Sequence, residues 1–189
     1  MCGWSTNGLI GTHFVAAAHD HGLPVTTAAT LLAFIGIFDF VGTIGSGWLT
    51  DRFDARILLG VYYALRGVSL LVVHLVWAPT VQPPMFFFVV LYGLDWVATV
   101  PPTVALCRQS FGVERAGVVF GWVFASHMIG AGVSAWFAGF TRESTGSYDL
   151  AWLVAGVLCL LAALASLAVP HGNALASRSP EPAPDLASF

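Results

Sequence analysis

The sequence predicts an all-α polytopic membrane protein with six transmembrane helices, because of its composition and its six apolar runs. Of the 189 residues, 57% are hydrophobic and 9% are charged, whereas about 25% of residues are charged in a typical soluble domain. A soluble fold of this length would expose more surface than so few charges could cover. The chain has no lysine and a net charge of −3, so it lacks the basic surface that nucleic-acid binding requires.

The six apolar runs are predicted to be helices, because backbone groups in lipid must form their hydrogen bonds within the segment. The first run is short for a span, which takes about 20 residues, and this indicates a helix whose upstream part is missing. We predict a transmembrane unit over residues 1–170 and a disordered tail, rich in Pro, Ser and Ala, over residues 171–189. The runs cover residues 3–18, 26–49, 57–77, 85–107, 116–140 and 150–169.

The arginines outside these runs predict the orientation in the membrane, since cytoplasmic loops collect arginine and lysine. The loops after the second and fourth runs and the tail together carry five arginines, and the opposite side carries only Arg142. This bias places both termini in the cytoplasm and supports six spans in an integral membrane protein, which we expect in a bacterial inner membrane. The five cytoplasmic arginines are Arg52, Arg56, Arg108, Arg115 and Arg178.

The segment between the second and third runs reads GWLTDRFDAR. It resembles the signature loop of the major facilitator superfamily, G-x-L-x-D-R-x-G-x-[RK], with Asp54 in place of the second glycine. Glycine allows close helix approach, and an acid at a helix end can face the positive N-terminus of another helix. The resemblance implies that this loop governs conformational change rather than substrate contact. The matching positions are Gly47, Leu49, Asp51, Arg52 and Arg56.

The resemblance extends over residues 1–170, and three stretches are similar to bacterial members near the monocarboxylate and oxalate–formate branches. It implies the C-terminal six-helix half of a twelve-helix fold, built from two three-helix inverted repeats. It also implies secondary active transport of a small solute by alternating access, with proton coupling expected. The partners would be the lipid bilayer, the solute, and a missing N-terminal half or a second copy. The three similar stretches are 2–7, 92–102 and 120–127.

Several alternatives stay open at this point. The chain is either half of a larger transporter, a six-helix carrier that forms a homodimer, or a fragment without activity of its own. A membrane enzyme is disfavoured, because neither H-E-x-x-H nor G-x-S-x-G occurs in the sequence. We expect no cofactor and no metal site. The sequence does not identify the solute, nor does it distinguish symport from antiport or uniport.

Four ionisable residues fall at similar depth inside the predicted spans, and such residues are candidates for function. At a rise of about 1.5 Å per residue, Asp39, Arg66 and His127 lie roughly 15–18 Å from the cytoplasmic ends of their helices, and Asp95 lies near the middle of its run. We expect Asp39 to pair with Arg66. Asp95 would then be a lone carboxylate, and therefore the first candidate for proton coupling, followed by Asp39 and His127.

Weaker candidates lie on other helices. Asn7 and His13 on the first run and Thr99 on the fourth are candidates for the wall of the substrate cavity. Pro101 and Pro102 must bend or break the fourth helix, because they remove backbone donors. The bend is either a gate or a static kink.

Overall fold

The structure, a computed structural model, describes residues 3–170, and it describes the side chains from Gly8 onward. The predicted tail at 171–189 lies outside the described residues. The helices form six rods, because a 3-10 turn at Val73–Leu75 extends α3, and α4 and α5 are two parts of one interrupted rod. The helices are α1 (Gly3–Asp20), α2 (Val25–Thr50), α3 (Ala55–Val72), α4 (Pro83–Asp95), α5 (Val100–Phe111), α6 (Val113–Thr145) and α7 (Asp149–Leu167).

The all-α prediction is confirmed. Five rods in the described part of the chain are long and apolar enough to cross a membrane. The sixth, α1, has 18 residues, and it is part of the same bundle because Leu9, Ile10 and Phe14 are buried in the common core. The longest helix, α6, has 33 residues and extends beyond the predicted run at both ends.

Local signals set the helix ends. The carboxylate of Asp54 caps α3 by accepting the backbone N–H of Arg56 at 2.9 Å. Prolines stand in the first turn of α4, where their missing N–H groups would have no helical partner. Gly146 ends α6 with φ of +78°, a left-handed conformation that favours glycine. These turns reverse the chain between rods with few connecting residues.

The helices pack in three pairs, each joining one helix of the first three rods to one of the last three. The main contacts are α1 with α6, α2 with α4, and α3 with α7. A two-fold axis between two three-rod repeats would exchange the first rod with the fourth, the second with the fifth and the third with the sixth. It would map the α1–α6 pair, which joins the first and fifth rods, onto the pair of the fourth and second rods, which is the α4–α2 pair. It would turn the α3–α7 pair into itself. The observed pairing is therefore the one that two inverted repeats produce.

Glycines let the backbones of these pairs touch. A Cβ atom added at Gly67 would lie 3.0 Å from the carbonyl oxygen of Gly156, and one added at Gly156 would lie 3.1 Å from that of Gly67. This reciprocal contact is what a two-fold axis between α3 and α7 requires. In the α2–α4 pair, a Cβ atom at Gly42 would overlap the backbone of Leu94. Close backbone approach of this kind is how helices associate in lipid.

The two ends of the bundle agree with the predicted alternation of the chain across the membrane. At one end, Arg56 in the first turn of α3 donates to the carbonyl oxygen of Val169, just after α7, at 2.9 Å. At the other end, Asp20 at the end of α1 forms an ion pair with Arg142 near the end of α6. The first end carries the predicted cytoplasmic loops, and the second end carries Arg142.

We predict that Gly42→Ala destabilises the fold by about 1–3 kcal/mol, the usual cost of overpacking, because the new methyl group must displace the backbone of Leu94. Gly45→Ala on the same helix is the matched control, since a Cβ atom there meets nothing within 4 Å. Thermal unfolding of the purified protein in detergent measures both variants. Equal unfolding midpoints for the two variants would contradict the close approach.

Candidate functional site

The fourth rod is interrupted at its middle. Helix α4 ends at Asp95, α5 begins at Val100, and residues 96–99 form turns. The predicted bend therefore lies just before Pro101 and Pro102 rather than at them, and the prolines stand in the first turn of α5. Proline at the start of a helix loses no helical hydrogen bond. The break leaves backbone groups without helical partners, and in a membrane these groups need partners from neighbouring helices.

Arg66 on α3 binds the end of α4. Its Nε donates to Oδ2 of Asp95 at 2.7 Å, and its Nη2 donates to the carbonyl oxygens of Asp95 and, at 2.9 Å, of Trp96. The side chains of Arg66 and Asp95 are 0% and 6% exposed. A cation at the C-terminal end of a helix also meets the negative end of the helix dipole. One guanidinium thus satisfies a carboxylate and two backbone carbonyls.

The predicted ion pair between Asp39 and Arg66 is wrong, because Arg66 pairs with Asp95. Equal depth places two residues at one height but does not say toward which neighbouring helix each side chain points. Asp95 is therefore not the lone carboxylate that the sequence indicates. Its other oxygen, Oδ1, is buried and has no hydrogen-bond partner among the described residues.

Asp39 on α2 binds the same break from another side. Its Oδ1 accepts the backbone N–H of Val97 at 2.7 Å and the hydroxyl of Thr43 at 3.4 Å. The residue is only half-buried, and it forms no ion pair within residues 8–170. The structure thus brings Asp39, Arg66 and Asp95 together at one place, but with roles different from the predicted ones.

The other predicted residues lie apart from this network or at its edge. Thr99 is buried at the end of the break, where its carbonyl oxygen accepts the hydroxyl of Thr103 at 2.6 Å. His127 is half-buried on α6, and its ring stacks on Phe124 with centroids 5.8 Å apart. The side chain of Asn7 lies outside the described residues.

His13 lies in a second polar cluster between α1, α6 and α7. Its Nε2 donates to the carbonyl oxygen of Ala135 at 2.9 Å. In the neutral ring its Nδ1 therefore accepts the Tyr148 hydroxyl, 3.2 Å away. The guanidinium of Arg142 lies 5.6 Å from the Tyr148 ring centroid and binds both carboxylate oxygens of Asp20, at 2.7 and 2.8 Å. Sequence reasoning missed this cluster, although the arginine bias predicts Arg142 on the non-cytoplasmic side.

The loop after α2 places its charged residues at the edge of the bundle. Asp51 is exposed and is the C-cap residue of α2. The guanidinium of Arg52 lies 3.8 Å from the centroid of the Trp48 ring, a cation–π contact. A Cβ atom at Gly47 would have open space around it among the described residues, so Gly47 makes no close helix approach there. The role of this loop in conformational change stays a prediction.

Asp54, which departs from the signature pattern, has a structural role of its own. Besides capping α3, it forms an ion pair with Arg56, with Nη2 and Oδ2 2.6 Å apart. Because Arg56 also binds the carbonyl oxygen of Val169, these two residues connect the loop to the end of α7. At this position the signature pattern has a glycine, and in this chain the aspartate caps helix α3 instead.

Comparison with known proteins decides the family, since the model of the Major Facilitator Superfamily matches residues 1–187. The chain belongs to the major facilitator superfamily. The interrupted rod and the three helix pairs described above are thus features of a member of this superfamily.

Relatives within the superfamily occur in mammals and bacteria. The chain is 30% identical to monocarboxylate transporter 13 of Rattus norvegicus over an alignment of 161 residues. This alignment covers 84% of this chain and 37% of that protein. It is 27% identical over 169 residues to the uncharacterized MFS-type transporter YcxA of Bacillus subtilis, covering 88% of this chain and 41% of that protein. The chain thus spans well under half the length of these curated relatives.

We predict that Arg66→Met destabilises the protein by about 3–5 kcal/mol, because it leaves the buried carboxylate of Asp95 without a counter-charge. The double variant Arg66→Met with Asp95→Asn should be more stable than Arg66→Met alone, since the uncompensated charge is gone. Arg142→Met, which breaks the exposed pair with Asp20, should change the thermal midpoint far less. A double variant less stable than Arg66→Met would show that the ion pair is not the main interaction.

Proposed function

We propose that this chain forms one half of a secondary transporter that moves a small monocarboxylate together with a proton. The support is the family match over residues 1–187, the names of the monocarboxylate transporters among the relatives, and one observation in the site. That observation is the half-buried Asp39, bound to the break in the fourth rod and without an ion pair within residues 8–170.

Asp39 has the surroundings that a proton-accepting carboxylate needs. A charged carboxylate inside the membrane is costly, so protonation or pairing must accompany its exposure to either side. Both hydrogen bonds to Asp39 reach the same oxygen, Oδ1. The other oxygen, Oδ2, can therefore take up a proton while Oδ1 keeps its bond to the N–H of Val97. In this scheme Asp39 changes its protonation state while its hydrogen bond to the backbone of the break is kept.

Charge repulsion would couple the proton to the solute. A negatively charged Asp39 disfavours a carboxylate nearby, and a protonated Asp39 does not. Each monocarboxylate that binds beside Asp39 then brings a proton with it, and the pair crosses together. His127 on α6 is a basic side chain, half-buried, that can donate to the solute carboxylate. Arg66 has its hydrogen bonds directed at Asp95 and the carbonyl groups of the break.

Asp95 is the second candidate for the proton site, because its buried Oδ1 has no hydrogen-bond partner among the described residues. It ranks below Asp39 because its Oδ2 binds Arg66 at 2.7 Å. Protonation of Asp95 would leave the buried guanidinium without a counter-charge.

The faces of α2 and α6 that the bundle leaves uncovered suggest where another six-helix unit packs. Large apolar side chains are exposed there, among them Phe40, Ile44, Trp122 and Ile129, in contact with lipid or with partner helices. We propose that a separate half of the transporter covers these faces. Native mass measurement in detergent should therefore find this chain as a monomer, and the mass of two chains would show instead that a second copy fills the role.

We predict that Asp39→Asn, which mimics the protonated form, abolishes proton-driven accumulation while exchange of solute at equal concentrations continues. The measurement is uptake of radiolabelled lactate or pyruvate by proteoliposomes that contain the chain in its transporting assembly, with and without a pH gradient. Exchange should also become nearly independent of pH, because the titrating group is gone.

Two variants serve as controls for this experiment. Asp51→Asn, at the edge of the bundle, should slow transport but keep accumulation and leave the half-saturating concentration within a few-fold. Asp95→Asn should mainly lower the amount of folded protein, because it weakens the pair with Arg66. Accumulation that survives Asp39→Asn and disappears in folded Asp95→Asn would assign the proton to Asp95. Absence of monocarboxylate uptake in the parent assembly would overturn the substrate class.

A further inference from the structure

The carbonyl group of Ala98 is an acceptor that the break sets free. In an unbroken helix it would accept the backbone N–H of residue 102, but Pro102 has no N–H. Instead, the hydroxyl of Ser46 on α2 donates to this carbonyl oxygen at 2.5 Å. Ser46 is 1% exposed, so water does not supply an alternative donor there. The hydroxyl therefore holds the segment just before α5 against α2.

Ser46 lies two helical turns from Asp39 on α2, on the same face of the helix. Helix α2 thus contacts the break twice, through the carboxylate of Asp39 at Val97 and through the hydroxyl of Ser46 at Ala98.

We infer that Ser46 is a positioning residue whose hydroxyl fixes the segment just before α5 and sets how easily α5 moves relative to α4. Hydrogen bonds between neutral groups are weaker than those of charged groups. The end of α4, bound by Arg66, is therefore the fixed side of the break, and the segment just before α5, bound by Ser46, is the side that opens first. The consequence for transport rests on the function proposed above, but the contact itself does not.

Cys107 provides a natural probe of this motion, because it is a free and buried cysteine on α5. When α5 moves away from the bundle, the Cys107 thiol becomes accessible to a maleimide. Ser46→Ala should raise its labelling rate about five-fold, the factor that corresponds to the loss of one hydrogen bond of about 1 kcal/mol. The rate is followed by mass spectrometry of the peptide that contains Cys107, with the purified full chain in detergent.

Two further variants complete the test. Ser69→Ala on α3 removes a hydroxyl that bonds only within its own helix, to the carbonyl oxygen of Leu65, and should leave the labelling rate unchanged. Ser46→Cys, whose thiol is a weaker donor than a hydroxyl, should raise the rate by a smaller factor than Ser46→Ala, and it keeps the inference testable if Ser46→Ala does not fold. An unchanged rate in the folded Ser46 variants, or an equal rise in Ser69→Ala, would overturn the inference.

Two more readouts separate a positioning role from general destabilisation and from the proposed function. If α5 moves locally, the labelling rate of Cys107 is nearly independent of low denaturant concentrations. If labelling requires global unfolding, the rate depends steeply on the denaturant concentration. A steep dependence would overturn the inference. In transport, Ser46→Ala should change the maximal rate at least three-fold, with the half-saturating concentration within two-fold. Faster labelling with unchanged transport would support the contact and count against the proposed function.

Discussion

The guanidinium of Arg66 is the group on which the interrupted rod depends. A break inside a membrane helix leaves carbonyl groups that lipid cannot satisfy, and Arg66 satisfies two of them while it neutralises Asp95. Arginine suits this place better than lysine, because its planar group offers several donors in fixed directions. Asp39 adds the acceptor that the N–H of Val97 needs. The charged side chains of the site thus supply the hydrogen-bond partners that the irregular backbone of the break needs.

The same constraint explains why the helix pairs have close backbone contacts near the site. Gly42 lies next to Leu94, and Gly93 lies opposite Ile35, where an added Cβ atom would be 2.8 Å from its carbonyl oxygen. Only with α2 this close to α4 can a side chain as short as Asp39 reach the backbone of the break. The glycines of the α2–α4 pair therefore contribute to the polar network as well as to helix association.

Much of the fold could be predicted from the sequence, because lipid allows few structures and apolar length marks them. Five of the six rods follow from hydropathy alone. The partner of Arg66 could not be predicted, since depth along a helix gives the height of a side chain and not its direction. The role of Ser46 could not be predicted, because a serine in a Gly-rich run resembles a packing residue. Only its spacing of seven residues from Asp39 indicates that the two share a helix face.

The distribution of charge over the break also indicates which part of it moves. A buried ion pair contributes little net stability compared with apolar packing, but loss of one partner is very costly, so such a pair tends to keep its geometry once formed. A hydroxyl bond carries no such penalty, because a serine and a carbonyl group can exchange partners within a polar region at a cost of about 1 kcal/mol. The end of α4 and the residues after it combine the ion pair with three backbone contacts, at Asp95, Trp96 and Val97, whereas the segment just before α5 is bound by the hydroxyl of Ser46. Motion at the break is therefore expected to change the position of α5 and leave α4 in place.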